Sequence, residues 1–141
     1  MFSSIKDQTV IVTGGSKGIG KGIARVFARK GAKVMVAARG EAEAVQTVAQ
    51  IKRDGGQAEY LLCDVSSPEQ VTEMVERTAG LFGTVDILCA NAGVFPQKKI
   101  IEMEAEDWDL VMDVNLKSAF LCVKACIPYF EKQGKGRVIL T

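Results

Sequence analysis

The chain has 141 residues, 48% hydrophobic and 25% charged, the size and mix of one soluble globular domain with a real core. Eighteen Lys and Arg against seventeen Asp and Glu leave a net charge of +1, which does not point to a nucleic-acid or other polyanion partner. Its apolar runs are strand-sized, too short for a bilayer, and Met1-Phe2-Ser3-Ser4 leads into charged residues instead of the apolar centre of an export signal.

Strand and helix patterns alternate along the chain. Gln8 to Thr13 reads as a strand, and Gly18 to Lys30 as a helix with Ile19, Ile23, Ala24, Phe27 and Ala28 on one face. Gly31 ends that helix as a C-cap. Ala32 to Ala38 is a strand interrupted only by Lys33. Glu41 to Asp54 follows as a helix with Val45, Val48 and Ile51 inward, closed by Gly55-Gly56. Ala58 to Cys63 is a third strand. Ser67-Pro68-Glu69-Gln70 then opens a helix, with Ser67 as N-cap, Pro68 in the first helical position and Gln70 completing a capping box. That helix runs to about Phe82, with Val71, Met74, Val75, Thr78 and Phe82 on its apolar side. Val85 to Ala90 is a fourth strand. The charged loop Gln97-Lys98-Lys99 is expected to be solvated, and Glu104, Glu106, Asp107 and Asp109 suit a helix N-terminus. Glu104 to Phe130 is mostly helical, in two pieces, with Pro128 at a frayed end. Arg137 to Thr141 begins a fifth strand.

Strands apolar on both faces, alternating with helices, predict an α/β domain over residues 1–141: a doubly wound Rossmann fold with a parallel sheet. The strand order expected is 3-2-1-4-5, with helices on both faces. The phosphate-binding segment of such a fold is Thr13-Gly14-Gly15-Ser16-Lys17-Gly18-Ile19-Gly20, set between the first strand and its helix. A glycine-rich turn there presents unpaired N–H groups and a positive helix terminus to an anion, and its glycines admit a pyrophosphate. Gly15 to Lys21 also matches the spacing of a P-loop, but Gly22 stands where a Ser or Thr must hold magnesium.

The end of the second strand bears on the cofactor. A carboxylate there grips a ribose 2′-hydroxyl, yet Val36-Ala37-Ala38-Arg39 offers none before Glu41. Arg39 is suited to bidentate phosphate binding, and Lys17 supplies a second cation, so NADP(H) is expected over NAD(H). Cys63, Cys89, Cys122 and Cys126 form no Cys-x-x-Cys and lie in apolar segments; they read as reduced, buried thiols of a cytoplasmic protein. The chain has no histidine, which removes Ser-His-Asp catalysis and makes a metal site unexpected.

Thr13-Gly14-x-x-x-Gly18-x-Gly20, Asp64-Val65, Asn91-Ala92-Gly93 and Asp113-Val114-Asn115 occur in the order and spacing of the short-chain dehydrogenase/reductase family. The whole chain resembles the N-terminal part of such an enzyme, and most resembles the 3-oxoacyl-acyl-carrier-protein reductase branch. It departs at Ala90, where the family often has an additional Asn. The resemblance implies an oxidoreductase that reduces a carbonyl, on a small molecule or an acyl carrier, and that assembles as a homodimer or tetramer through its long helices. It implies that Asp64 accepts from the adenine amino group beside Val65, that Asn91 fixes the loop under the adenosine ribose, and that Asn115 holds a water in the proton relay. For the long helix, Leu110, Val114, Phe120 and Leu121 serve as interface or, more simply, as core.

The family's proton donor is a tyrosine four residues before a lysine, aided by a serine. Here Tyr60 and Tyr129 are followed at that spacing by Asp64 and Gln133, and the serine would fall beyond Thr141. The expectation is therefore a truncated chain, inactive alone. A nucleotide-binding or interaction module without chemistry is the alternative from another class. A methyltransferase-like protein is disfavoured, because the loop and Arg39 suit a phosphorylated cofactor better than a sulfonium.

Overall fold

A computed structural model describes residues 4–141; Met1-Phe2-Ser3, part of the leader reading above, lies outside the described residues. The elements are β1 (Thr9–Thr13), α1 (Gly18–Arg29), β2 (Lys33–Ala38), α2 (Glu41–Arg53), β3 (Gln57–Leu62), α3 (Pro68–Phe82), β4 (Ile87–Ala90), α4 (Ala105–Met112), α5 (Ser118–Gln133) and β5 (Arg137–Leu140). A 3₁₀ turn at Ile100–Glu102 precedes α4, and a π-helical turn at Asp113–Lys117 joins α4 to α5. The sheet is parallel in the order β3-β2-β1-β4-β5, as the alternating pattern predicts.

Side chains alternate across a strand, so each strand feeds two cores. Val10, Val12, Val34, Val36, Ala58 and Cys89 point to one face, where Ala24 and Ala28 of α1 and Ala44, Val48 and Ile51 of α2 cover them. Ile11, Met35, Leu61 and Leu88 point to the other and meet Val71, Met74 and Val75 of α3 with Cys122 and Cys126 of α5. This is why β1, β2 and β4 contain little but Val, Ile, Leu, Met, Ala, Cys and Thr: they are covered on both sides. At the edge, all four residues of β5 are exposed.

Helix ends follow local chemistry. The Gly31 N–H donates to the Ala28 carbonyl and the Ala32 N–H to that of Phe27, the double closure of a Schellman turn. At α3, the Ser67 hydroxyl accepts from the Gln70 N–H as expected. The capping box does not close. The Ser67 N–H already donates to the Asp64 carbonyl, so the Gln70 amide oxygen accepts from the Asp64 N–H instead, at 2.8 Å.

Other expectations also give way. Ile19 is 75% exposed, because the first turn of α1 lines the open cleft and does not lie on the sheet. Val48 and Ile51 face inward as expected, but Val45 is 44% exposed, and the i, i+3, i+4, i+7 row on the inner face of α2 is completed by Ala44 and Thr47. Pro128 does not fray α5. It sits inside the helix, which continues to Gln133; the ring removes one main-chain bond, but Cys126, Tyr129 and Phe130 pack on the core on either side of it. Val114 is buried and Leu121 packs against the core, whereas Leu110 and Phe120 face outward. Lys98 is not merely solvated: its Nζ donates to both carboxylate oxygens of Asp107, at 2.8 and 2.6 Å. Asp107 in turn closes a capping box with Glu104 at the start of α4.

Candidate dinucleotide site

Parallel pairing brings the carboxyl ends of β1, β2, β3 and β4 to one edge, so the segments after Thr13, Ala38, Leu62 and Ala90 meet there though they are far apart in sequence. They enclose a cleft of about 370 Å³. Gly14, Ser16, Lys17, Ile19 and Gly20 form one wall, from the loop between β1 and α1. Arg39 forms another, Asp64 and Val65 a third, and Asn91, Ala92 and Gly93 a fourth.

Thr13 stands behind the cleft, almost fully buried, and joins two strands. Its Oγ1 accepts from the N–H groups of Asn91 (3.0 Å) and Ala92 (3.1 Å). Asn91 returns the tie, its Nδ2 donating to the main-chain oxygens of Thr13 at 3.1 Å and Gly14 at 3.4 Å. On its other side, Asn91 Oδ1 accepts from the Thr141 hydroxyl at 3.1 Å. Asn91 is thus a bracket for the glycine loop. Gly14 takes φ of +64° and presses against Ala92, so the turn after β1 needs a residue without Cβ. Lys17 is the N-cap of α1 and gives no side-chain cap, which leaves the N–H groups of Gly18, Ile19 and Gly20 unmatched within the helix. Three open donors at a positive helix terminus are chemically suited to an anion.

Across the cleft, Asp64 Oδ1 accepts from the N–H and the hydroxyl of Ser66, at 2.9 and 2.7 Å. The Ser66 hydroxyl, then its N–H, hold the Asp64 carboxyl below its ordinary value against a smaller effect of burial, with Arg39 helping from nearby. Asp64 is therefore an ionised acceptor with one oxygen uncommitted to Ser66. Sequence reasoning missed Glu43, whose side chain curls back so that Oε2 lies 2.6 Å from where a Cβ of residue 40 would be. It shares the cleft wall with Arg39 and Gly40. Its place in the first turn after a glycine N-cap was the available signal.

Asn115 lies in the π-helical turn, and both ends of its amide are engaged. Oδ1 accepts from the Val94 N–H at 2.7 Å, and Nδ2 donates to the Val94 carbonyl at 2.9 Å. It clamps the chain as it leaves the cleft after Gly93. The four cysteines are free and buried. Burial pushes the thiols of Cys63 and Cys89 up to about 11 and those of Cys122 and Cys126 up to about 12, so all four stay neutral near neutral pH and supply no nucleophile. Tyr60 donates its hydroxyl to Glu41 at 3.0 Å, and that bond raises the pKa of the phenol.

The family model for short chain dehydrogenases matches residues 8–141. The chain belongs to the short-chain dehydrogenase/reductase family. It is 36% identical over 139 residues to the 3-oxoacyl-[acyl-carrier-protein] reductase of Synechocystis, covering 98% of this chain and 56% of that protein. It is 36% identical over 143 residues to the peroxisomal multifunctional enzyme type 2 of Drosophila melanogaster, covering 95% of this chain and 23% of that protein. A crystal structure of a short-chain type dehydrogenase/reductase from Mycobacterium marinum superposes with a TM-score of 0.93 at 33% identity, over 97% of this chain and 56% of that one. The chain spans about half the length of most of the curated relatives it matches. Short-chain dehydrogenases bind nicotinamide dinucleotides, and the walls of this cleft offer what such a ligand needs: open amide donors, an ionised acceptor and cations. No helix among the described residues is long and apolar enough to cross a membrane.

Proposed function

We propose that the cleft binds NADP(H) and that the whole protein moves a hydride between this cofactor and the carbon of a carbonyl or alcohol, with a 3-oxoacyl compound as the substrate class. When bound, the nicotinamide supplies the hydride. The residues of this chain do the holding: the amides of Gly18, Ile19 and Gly20 meet the diphosphate, Asp64 takes the adenine amino group beside Val65, and Asn91 keeps the loop in shape. Asn115 serves the proton relay through the turn it clamps, its own amide being committed to Val94.

The observation that carries the reading is Arg39, an exposed guanidinium in the cleft wall directly after β2, with Lys17 on the facing loop. A ribose 2′-phosphate between them gains charge-assisted bonds worth about 1.5–3 kcal/mol each, roughly ten- to a hundredfold in affinity. Calorimetry on the chain and on Arg39→Ala tests it. NADPH is expected to bind more tightly than NADH, and Arg39→Ala to weaken NADPH at least about tenfold while leaving NADH unchanged. Equal affinity of the unmodified chain for both cofactors would sink the NADP(H) assignment.

One observation favours a second reading. The Glu43 carboxylate in the same wall is an acceptor for ribose hydroxyls, which suits NAD(H). Glu43→Gln separates the two, since it lowers NADH affinity only under this second reading. For catalysis, Tyr60 and Tyr129 are the only phenols in the chain, and neither precedes a lysine at the spacing expected of the family's proton donor. The 141 residues alone are therefore expected to bind cofactor and not to reduce an acetoacetyl substrate. Trp108, Leu110, Leu116 and Phe120 are exposed along α4, the π-helical turn and α5. We assign them to contact with a second copy of the chain, to be checked by light scattering of the protein and of Phe120→Glu.

A further inference from the structure

Thr47 occupies a place where an apolar residue would serve the core as well. It is fully buried on the inner face of α2, in line with Ala44, Val48 and Ile51. The buried hydroxyls on other helices satisfy themselves locally: Thr78 donates to the carbonyl of Met74 at 2.7 Å, and Ser118 to that of Val114, each four residues back. Thr47 does not. Its Oγ1 crosses 31 residues of sequence to donate to the carbonyl of Ser16 at 2.7 Å, inside the glycine loop.

That carbonyl controls a donor. Ser16 is buried, and Lys17 after it is the N-cap that leads into the open N–H groups of α1. In a planar trans peptide the C=O and N–H point in opposite directions. Fixing the Ser16 oxygen against α2 therefore turns the Lys17 N–H away from α2 and sets the peptide plane from which the first turn of α1 starts. The Gly15 N–H, donating to the Ala37 carbonyl at 3.3 Å, secures the residue before. The loop is thus held by β2 and by α2, the strand and helix that flank Arg39.

We propose that Thr47 is a positioning residue for the dinucleotide, its hydroxyl locking the Ser16 carbonyl so that the loop meets the diphosphate in a ready-made shape. The proposal rests on the dinucleotide reading above. Its consequence is selective: a ligand with a diphosphate depends on Thr47, whereas one that uses only the adenosine side of the cleft does not.

The test is calorimetric titration of the 141-residue chain with NADPH and with adenosine 2′-monophosphate, which lacks the diphosphate. Thr47→Val keeps the shape and removes the donor, leaving a buried carbonyl unpaired. It is expected to weaken NADPH about tenfold and adenosine 2′-monophosphate less than about twofold. Thr47→Ser restores the hydroxyl and is expected to bind NADPH within about threefold of the unmodified chain. Thr47→Ala gives the same readout should the valine variant not fold. Equal weakening of both ligands, or no weakening of either, overturns the proposal, as does a serine variant as weak as the valine one. Failure of the unmodified chain to bind either nucleotide overturns the dinucleotide reading itself, a different result from any of these.

Discussion

Two glycines two residues apart on α1 should respond to alanine with opposite signs. At Gly20 a Cβ would lie 2.1 Å from the Gly14 oxygen, 2.6 Å from Asn91 Nδ2 and 2.8 Å from the Gly14 carbonyl carbon. The obstacle is main chain, and it cannot retreat without stretching the Asn91 bonds to Thr13 and Gly14. Overpacking of this kind costs about 1–3 kcal/mol. Disturbing the Asn91 amide adds about 1 kcal/mol or more. The better helix propensity of alanine returns about 1 kcal/mol. Gly20→Ala should then lose roughly 1–3 kcal/mol, a fall in Tm of about 3–9 °C for a chain of this size. At Gly22 nothing lies within 4 Å of the added carbon, so only the propensity gain remains. Gly22→Ala should rise by about 3 °C. Differential scanning calorimetry of the two variants decides the matter. A Gly20→Ala protein that melts at or above the unmodified chain would refute the claim that the loop and α1 are in contact through this position.

Asn115→Ala removes both bonds to Val94 and should cost about 1–2 kcal/mol in urea unfolding, with faster hydrogen exchange at the Val94 amide; unchanged exchange there contradicts the clamp. Ser66→Ala removes the largest influence that holds the Asp64 carboxyl low, so that group should titrate higher when followed by carboxyl-carbon NMR. A carboxylate depressed in the folded state stabilises it above the unfolded-state pKa, and that contribution is lost as pH falls through the folded value. The stability lead of the unmodified chain over Ser66→Ala should therefore exist near neutral pH and vanish in acid; a lead that grew in acid would contradict the assignment.

What the sequence made legible was whatever depends on local chemistry. The glycine loop after Thr13 is legible from its place between a strand and a helix, and strand order from alternation and handedness; Asp64, Val65 and Asn91 to Gly93 are named only through the family resemblance, and the parallel sheet brings all of them to one edge. What escaped notice depends on partners far away in sequence. Thr47 on α2 carries no apolar signal, and the reason for its burial lies 31 residues away in Ser16. Spacing alone pairs Gln70 with Ser67, because it cannot reveal that the Ser67 N–H is already used by Asp64. Lys98 acquires its role only when α4 brings Asp107 beside it. At Pro128 propensity predicts a helix end, and packing on the core overrides it.

The central claim is that a dinucleotide lies across the carboxyl edge of the sheet with its diphosphate on the first turn of α1. The most direct measurement is an amide chemical-shift map of the ¹⁵N-labelled chain titrated with NADPH. The account predicts saturable shifts at Lys17, Gly18, Ile19 and Gly20, with smaller ones at Asp64, Val65 and Asn91 to Gly93. Shifts confined to other surfaces, or none at saturating ligand, would contradict it.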